Sequence, residues 1–342
     1  MESPAVVIEQ PSSRRHDPSP WIPFHPERPQ RIAAIERLLE RRGWLGCRRL
    51  TGRRADPELL ELVHDRSLVE LVRRTAAAGG GVLDPDTAVG PASFAAALDA
   101  AGAAVELVEQ LAAGRFSRGF ALVRPPGHHA ERARAMGFCL FNNVAVAAAH
   151  ARARLAVERV AIVDWDVHHG NGTAEIFSER DDVLYLSIHR YPFYPGTGRP
   201  DEVGLGCGRG FTINLPAPAE SDGGLWLALC QRLAAPILRA FGPQLILVSA
   251  GYDAHAADPL GGCRLTSADF RELARLFASV ARELGVPIGA VLEGGYEPEA
   301  LAESVAETLA GLSDGVEPKP VPEHPLVGRL APQFAPFWDC LA

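Results

Sequence analysis

The chain has 342 residues, 47% of them hydrophobic and 22% charged, with a formal net charge of −8. That length can bury one large core or two smaller ones. An acidic chain whose only lysine is Lys319 lacks the basic patch or tail of a free-standing nucleic-acid binder.

Neither nucleic acid nor a membrane is expected as a partner, and self-association is compatible with the composition. Uninterrupted apolar stretches such as Val144–Ala149 are far too short to cross a bilayer. Residues Met1 to Gln10 do not read as a basic segment leading into an apolar one, the pattern of a secretory leader. The cysteines (Cys47, Cys139, Cys207, Cys230, Cys263 and Cys340) form no C-x-x-C pair and suggest neither a zinc ribbon nor a disulfide framework. A reduced, cytoplasmic setting is therefore expected. The arginine pairs Arg41-Arg42 and Arg53-Arg54 read as solvated faces.

In chain order, residues from about Val6 to Arg31 read as a Pro- and His-rich loop containing His25-Pro26-Glu27-Arg28-Pro29. Helical pattern follows over Pro29–Arg42 and Leu59–Arg74, and Gly79-Gly80-Gly81 breaks it. An Ala-rich helix is predicted over Pro91–Ala113, with Gly114 as its stop. The text then alternates. Apolar runs at Phe120–Val123, Val160–Val163, Val183–Ile188, Phe211–Leu215, Leu245–Val248 and Val286–Leu292 read as strands. Helical segments at Asn143–Arg154, Gly172–Glu179, Gly224–Phe241 and Ser267–Leu284 separate most of them.

Continuous rather than alternating apolar strands, with helices between, indicate a parallel sheet covered on both faces. One α/β domain over residues 1–342 is expected, with Glu317–Pro325 as a packed or frayed tail.

Polar clusters follow these strands: Arg124–His129, Asp164–Asn171, His189, Asp253, and Glu293-Gly294-Gly295-Tyr296. Open α/β sheets bind ligands at the carboxyl ends of their strands, so the clusters are expected to converge there.

Within Asp164-Trp165-Asp166-Val167-His168-His169-Gly170-Asn171-Gly172, alternation puts Asp164, Asp166 and His168 on one side if the strand geometry continues. Two carboxylates and an imidazole are costly to bury without a metal or partners, and they suit a divalent cation. A hydrogen-bonded strand end with a helix cap would account for one such Asp, but poorly for the cluster. Asp253 can complete a set of two carboxylates and one imidazole with a position left for water; alone it would read as a cap. His128-His129, after a Pro-containing turn, can present two imidazoles side by side for proton transfer. The Tyr296 phenol can hydrogen-bond a developing oxyanion, although a packed turn aromatic is the ordinary reading of such a residue.

These segments closely resemble the zinc-dependent histone deacetylase family, including its bacterial members (histone deacetylase-like amidohydrolases, acetylpolyamine amidohydrolases and acetoin-utilization proteins). The matching text is His25-Pro26-Glu27-Arg28-Pro29, Arg124-Pro125-Pro126-Gly127-His128-His129-Ala130, Gly137-Phe138-Cys139-Leu140-Phe141-Asn142-Asn143, Asp164 to Gly172, Ser249-Ala250-Gly251-Tyr252-Asp253 and Glu293-Gly294-Gly295-Tyr296, in family order. Asn171, where class I members have Asp, resembles the class II branch.

The resemblance implies a three-layer α/β/α sandwich around a mostly parallel sheet, the arginase/deacetylase fold. It implies Zn²⁺ on Asp166, His168 and Asp253, with Asp164 paired to His128 and Asn171 to His129. It implies that Tyr296 binds the scissile carbonyl, that Gly137 touches the substrate, and that Phe138 and Tyr194 wall a narrow tunnel. A potassium ion is implied near the backbone of Asp164, Asp166 and His168, with Ser187 and Ile188.

The implied activity is removal of acetyl or related acyl groups from an amine such as acyl-lysine. His128, beside anionic Asp164, is expected to stay protonated, and His129, beside neutral Asn171, to be the better base. Acetylpolyamines and small acetylated metabolites are alternative substrates. Leu260 stands where polyamine-selective relatives carry an acidic gatekeeper, which argues for a peptide or uncharged group; the negative net charge argues for cations. A di-manganese ureohydrolase on the same fold fits less well, because Asp-x-Asp-x-His replaces its Asp-x-His-x-Asp. A catalytically inactive acyl-binding protein would be expected to have lost ligands or Tyr296.

Other signals read as structural. Gly204-x-Gly206-x-Gly208 precedes a strand and is no dinucleotide loop. His255 and His169 read as turn or hydrogen-bonding residues. His16, His25 and His189 line the mouth or cap turns. Arg31 matches a family arginine near an internal exit for acetate, or makes a surface salt bridge.

Overall fold

A computed structural model describes residues 4–341. In chain order its strands are β1 (Val6–Glu9), β2 (Arg48–Thr51), β3 (Gly81–Asp84), β4 (Thr87–Val89), β5 (Arg118–Leu122), β6 (Val160–Asp164), β7 (Val183–Arg190), β8 (Thr212–Ala217), β9 (Leu245–Ala250) and β10 (Ile288–Leu292). Eight of them form one sheet in the order β2-β1-β5-β10-β9-β6-β7-β8, with every neighbouring pair parallel. Strands β3 and β4 form a separate antiparallel hairpin.

The central strands β6, β9 and β10 are buried at every position. That is why their apolar runs do not alternate. Helices Ser93–Ala112 and Asn143–Arg154 pack on each other and on β1, β5, β6 and β9. Helices Gln30–Arg41, Ser267–Leu284 and Pro298–Ser313 form a second packed group that meets β5 and β10. Helix, sheet and helix layers result, as the resemblance implies. Local chemistry sets the helix ends. Asn142 accepts the Ala145 N–H at 3.0 Å at the start of one, and Thr266 and Asp269 cap each other's backbone at the start of another.

Several boundaries differ from the sequence reading. The first loop hides β1, whose four residues are too short to show a period, and the hairpin β3–β4 and strand β2 are equally brief. The helical stretch Leu59–Arg74 is two helices, Pro57–Leu60 and Arg66–Ala77. Between them His64 is buried, its Nε2 accepting the Asn142 N–H at 2.8 Å. Helix Gly223–Phe241 widens over Cys230–Ala234, just before Pro236. Helices Pro298–Ser313 and Pro325–Phe334 were not anticipated. The tail between them is packed: Gln231 Nε2 donates to Lys319 O at 2.7 Å, and Lys319 N–H donates to Glu272 at 2.8 Å. Arg53 and Arg54 are exposed but ion-paired, to Glu106 and Asp99. No helix among the described residues is long and apolar enough to cross a membrane.

Candidate active site

The carboxyl ends of β5, β10, β9 and β6, neighbours in the sheet, supply the site. After β6, Asp164 turns the chain: its Oδ1 accepts the Asp166 N–H at 3.1 Å, and its Oδ2 faces His128 Nδ1 at 3.0 Å and the Tyr185 hydroxyl at 2.9 Å. Asp166, His168 and Asp253 are buried, with potential ligand atoms all within 4.8 Å of one another. His168 Nδ1 lies 3.1 Å from both Asp166 Oδ1 and Asp253 Oδ2.

The remaining carboxylate oxygens are held by backbone. Gly294 N–H donates to Asp166 Oδ2 at 2.9 Å, and Val167 N–H to Asp253 Oδ1 at 2.8 Å. Gly294 has to be glycine, because a Cβ there would lie 2.3 Å from Asp253 Oδ2 and 2.5 Å from Asp166 Oδ2. Among the described residues this is the one acid–imidazole cluster with metal-ligand spacing. Its donor set of two carboxylates and one imidazole fits a divalent ion.

The electrostatics follow from burial and neighbours. Burial works against a charged His168, but Asp253 and Asp166 lift it to about 10. Burial, with Asp166 beside it, lifts Asp253 to about 7. The triad thus favours positive charge at its centre. For His128, burial is again outweighed, here by Asp166, Asp164 and Glu293, and the imidazole rises to about 10. His129, with ring centroid 4.0 Å from that of His128, goes the other way. Burial and the charges of His128 and His168 hold it well below the usual imidazole range. Its Nδ1 faces Asn171 Oδ1 at 2.7 Å. Burial keeps the Tyr296 phenol well above its ordinary range, hence protonated.

A narrow cavity of about 80 Å³ leads to these groups, lined by Asp86, His129, Gly137, Phe138, His168, Tyr194, Leu260 and Tyr296. All the wall residues expected from the sequence are therefore present in it. Gly137 and Phe138 both have left-handed backbone, φ 59° and 68°. A Cβ on Gly137 would lie 2.5 Å from the His129 ring. The non-glycine Phe138 in this conformation marks a constrained wall. A larger cleft, about 510 Å³, lies at the opposite, amino end of β5 and β10 and gathers no acids or imidazoles.

Some residues of the site were not assigned from sequence. Asp86 lines the tunnel from the β3–β4 turn, its Oδ1 accepting the Gly137 N–H at 3.2 Å. Glu293, at the start of the Glu293-Gly294-Gly295-Tyr296 segment, is fully buried: its Oε2 accepts Gly127 N–H at 2.6 Å and His128 N–H at 3.1 Å. Asp258 accepts the Tyr296 N–H at 2.6 Å and the Leu260 N–H at 2.9 Å. Arg31 makes no surface salt bridge. It is buried, donates to Gly295 O at 2.6 Å and Glu27 at 2.9 Å, and lies 4.9 Å from the Tyr296 ring. Glu27 also chelates Arg124, with contacts of 2.5 and 2.6 Å, so the first loop is tied to the end of β5.

Other histidines lie outside the triad and the imidazole pair. His169 Nδ1 faces Thr197 Oγ1 at 2.8 Å, and His255 Nδ1 accepts the Ala257 N–H at 3.0 Å. His189 Nε2 faces Gly198 O at 2.9 Å, and Ser187 Oγ faces His189 Nδ1 at 2.9 Å. His16 is buried with its Nε2 3.4 Å from Glu27. His25 alone reaches the tunnel wall, its ring 4.6 Å from that of Phe138.

Residues 25–312 match the model of the histone deacetylase domain. The chain is 43% identical over 319 residues to the polyamine deacetylase HDAC10 of Homo sapiens, covering 90% of this chain and 46% of that protein. It is 40% identical over 333 residues to histone deacetylase 15 of Arabidopsis thaliana, covering 93% and 59%. The histone deacetylase-like amidohydrolase of Pseudomonas aeruginosa is 40% identical over 301 residues, covering 85% and 78%. The chain thus spans about half the length of the first two relatives. A crystal structure of the HDA15 HD domain superposes with a TM-score of 0.92 at 37% identity, covering 99% of this chain and 96% of that one. With most of its length matched in sequence and in fold, the chain belongs to the histone deacetylase family.

Proposed function

We propose that this protein is a zinc-dependent amidohydrolase that removes acetyl or related acyl groups from an amine such as acyl-lysine, its residues 1–342 working as one catalytic domain in the cytoplasm. The observation that carries this reading is one convergence. An acid–imidazole triad with metal-ligand spacing, the paired rings of His128 and His129 and the Tyr296 phenol come together, with His129, His168 and Tyr296 lining one narrow tunnel.

Asp166, His168 and Asp253 would hold Zn²⁺, which would supply the Lewis acidity to activate water and polarise the amide carbonyl. His129, neutral beside Asn171, takes a proton from the attacking water. The Tyr296 hydroxyl donates a hydrogen bond to the oxygen that becomes negative. His128, its pKa raised by Asp166, Asp164 and Glu293, donates a proton to the amine nitrogen as the C–N bond breaks, so acetate and free amine leave. Gly137, Phe138, Tyr194 and Leu260 shape the tunnel for an alkyl chain.

Acyl-lysine is favoured over acetylpolyamine by the apolar Leu260 at the mouth. The polyamine reading draws on one relative's name and on the net charge of −8. A ureohydrolase needs a second metal, and the single triad with ligand spacing among the described residues supports one. An inactive acyl-binding protein is disfavoured because every expected catalytic position is filled. A potassium ion near Ser187 and Ile188 rests on the family resemblance and is read out by the dependence of turnover on K⁺ at fixed ionic strength.

The decisive experiment is a turnover panel of acetyl-lysine peptides, longer acyl-lysines and acetylpolyamines, with zinc loaded and with a chelator. Zinc-dependent release of acetate from the peptides is expected. Guanidine hydrolysis with two Mn²⁺ per chain, or acetyl-lysine binding without turnover in a zinc-loaded sample, would overturn the proposal.

A further inference from the structure

Phe24 is 101% exposed, the most exposed of the large hydrophobic residues described. Its backbone is left-handed, φ 60°, a conformation that L-residues other than Asn and Asp seldom adopt and that suits glycine best. A bare phenyl on an unfavourable backbone adds nothing to the stability of the fold.

The loop that carries it is nevertheless pinned on both sides. Three residues earlier, the Trp21 ring lies against backbone left bare by glycine: a Cβ on Gly80 would be 2.0 Å from it, and one on Gly90 2.9 Å. These glycines flank the β3–β4 hairpin. One residue later, His25 packs edge-on against Phe138 at 4.6 Å, and its Nε2 faces Asp86 O at 2.9 Å. Phe138 and Asp86 both line the tunnel. Phe24 is therefore the chain neighbour of a residue that packs on the tunnel wall, in a loop held on both sides. Tyr194, 37% exposed, and half-buried Leu260 also line the tunnel.

We propose that Phe24 is a specificity-determining residue that packs against a large apolar side chain next to the acyl-lysine of a peptide substrate. This rests on the amide-hydrolase reading above. The tunnel is narrow, about 80 Å³, so residues of the peptide on either side of the acyl-lysine must lie outside it. Burying a phenyl against an apolar neighbour is the interaction this exposed ring can gain. Because the contact is made outside the tunnel, it acts on binding rather than on the chemical step.

The test uses the zinc-loaded full chain with acetyl-lysine amide and three peptides carrying Phe, Gly or Arg beside the acetyl-lysine. Wild type is expected to show a KM about tenfold lower for the Phe peptide than for the Gly peptide, a factor equivalent to about 1.4 kcal/mol. Phe24→Ala should abolish that difference at unchanged kcat, leave acetyl-lysine amide unaffected, and be rescued in large part by Phe24→Leu. Equal KM values for the Phe and Gly peptides in wild type, an unchanged ratio in Phe24→Ala, or preference for the Arg peptide would each overturn the proposal while leaving the amide-hydrolase reading intact. No turnover of any of the four substrates would overturn both.

Discussion

The His128 and His129 sides of the site floor come from one loop and are in ring contact, yet each imidazole has a different partner. His128 faces the carboxylate of Asp164, and His129 faces the amide oxygen of Asn171. A carboxylate stabilises an imidazolium by charge as well as by hydrogen bonding, whereas an amide supplies only the hydrogen bond. The carboxylates around His128, Asp166 and Asp164 first among them, raise its pKa, whereas burial and the charges of His128 and His168 lower that of His129. Glu293 adds to the asymmetry by fixing the His128 backbone and adding negative charge on that side.

The strongest way to break this comparison is to remove the neutral side. His129→Ala is expected to lower kcat by about 10²–10⁴-fold, the usual contribution of a general base. Near-normal turnover in that variant, with His128→Ala inactive, would reverse the assignment.

Exchanging the partners sharpens the comparison further. Asp164→Asn takes an anion away from His128, so its pKa falls and the alkaline limb of the pH–rate profile moves to lower pH. Asn171→Asp adds an anion beside His129, so its pKa rises and the acidic limb moves to higher pH. Profiles of kcat/KM for both variants decide this, and unmoved limbs would uncouple the partners from the titration.

A third test asks whether other buried histidines share the condition of His129. Burial lowers His16, His64 and His189 to about 4 each. Their folded values lie below the unfolded 6.5. The stabilisation is therefore fully present above pH 6.5 and is lost as pH falls towards 4, because the unfolded chain binds protons that the fold refuses. Denaturant midpoints measured from pH 7 to pH 4 should fall steadily.

The smallest effect is expected from Glu293→Gln. Its amide oxygen can still accept the Gly127 and His128 N–H groups, so kcat should fall less than about tenfold. Glu293→Ala strands two buried donors at about 1–3 kcal/mol each, and should lose far more kcat than KM.

Much of this site is legible in the sequence, because each motif is contiguous and follows an apolar run. Asp166, His168 and Asp253 meet as expected, and His128-His129 find Asp164 and Asn171. Other positions are set by tertiary contact alone. Asp86 sits in the turn of a hairpin whose two strands total seven residues, too short to show a period. Arg31 looks like one arginine among many until the fold buries it under Gly295 and Glu27. Strand β1 is invisible for a similar reason: four residues in a Pro-rich stretch become a strand only because β2 and β5 flank them.

Asp258 holds two amides that belong to different tasks, that of Leu260 at the tunnel mouth and that of Tyr296 at its floor. Selection and chemistry thus share a single mechanical anchor. The Leu260 side chain is free to vary, so what enters the tunnel can drift without loosening the phenol. The anchor itself has no such freedom, because any change that releases it would misplace the gate and the hydroxyl together.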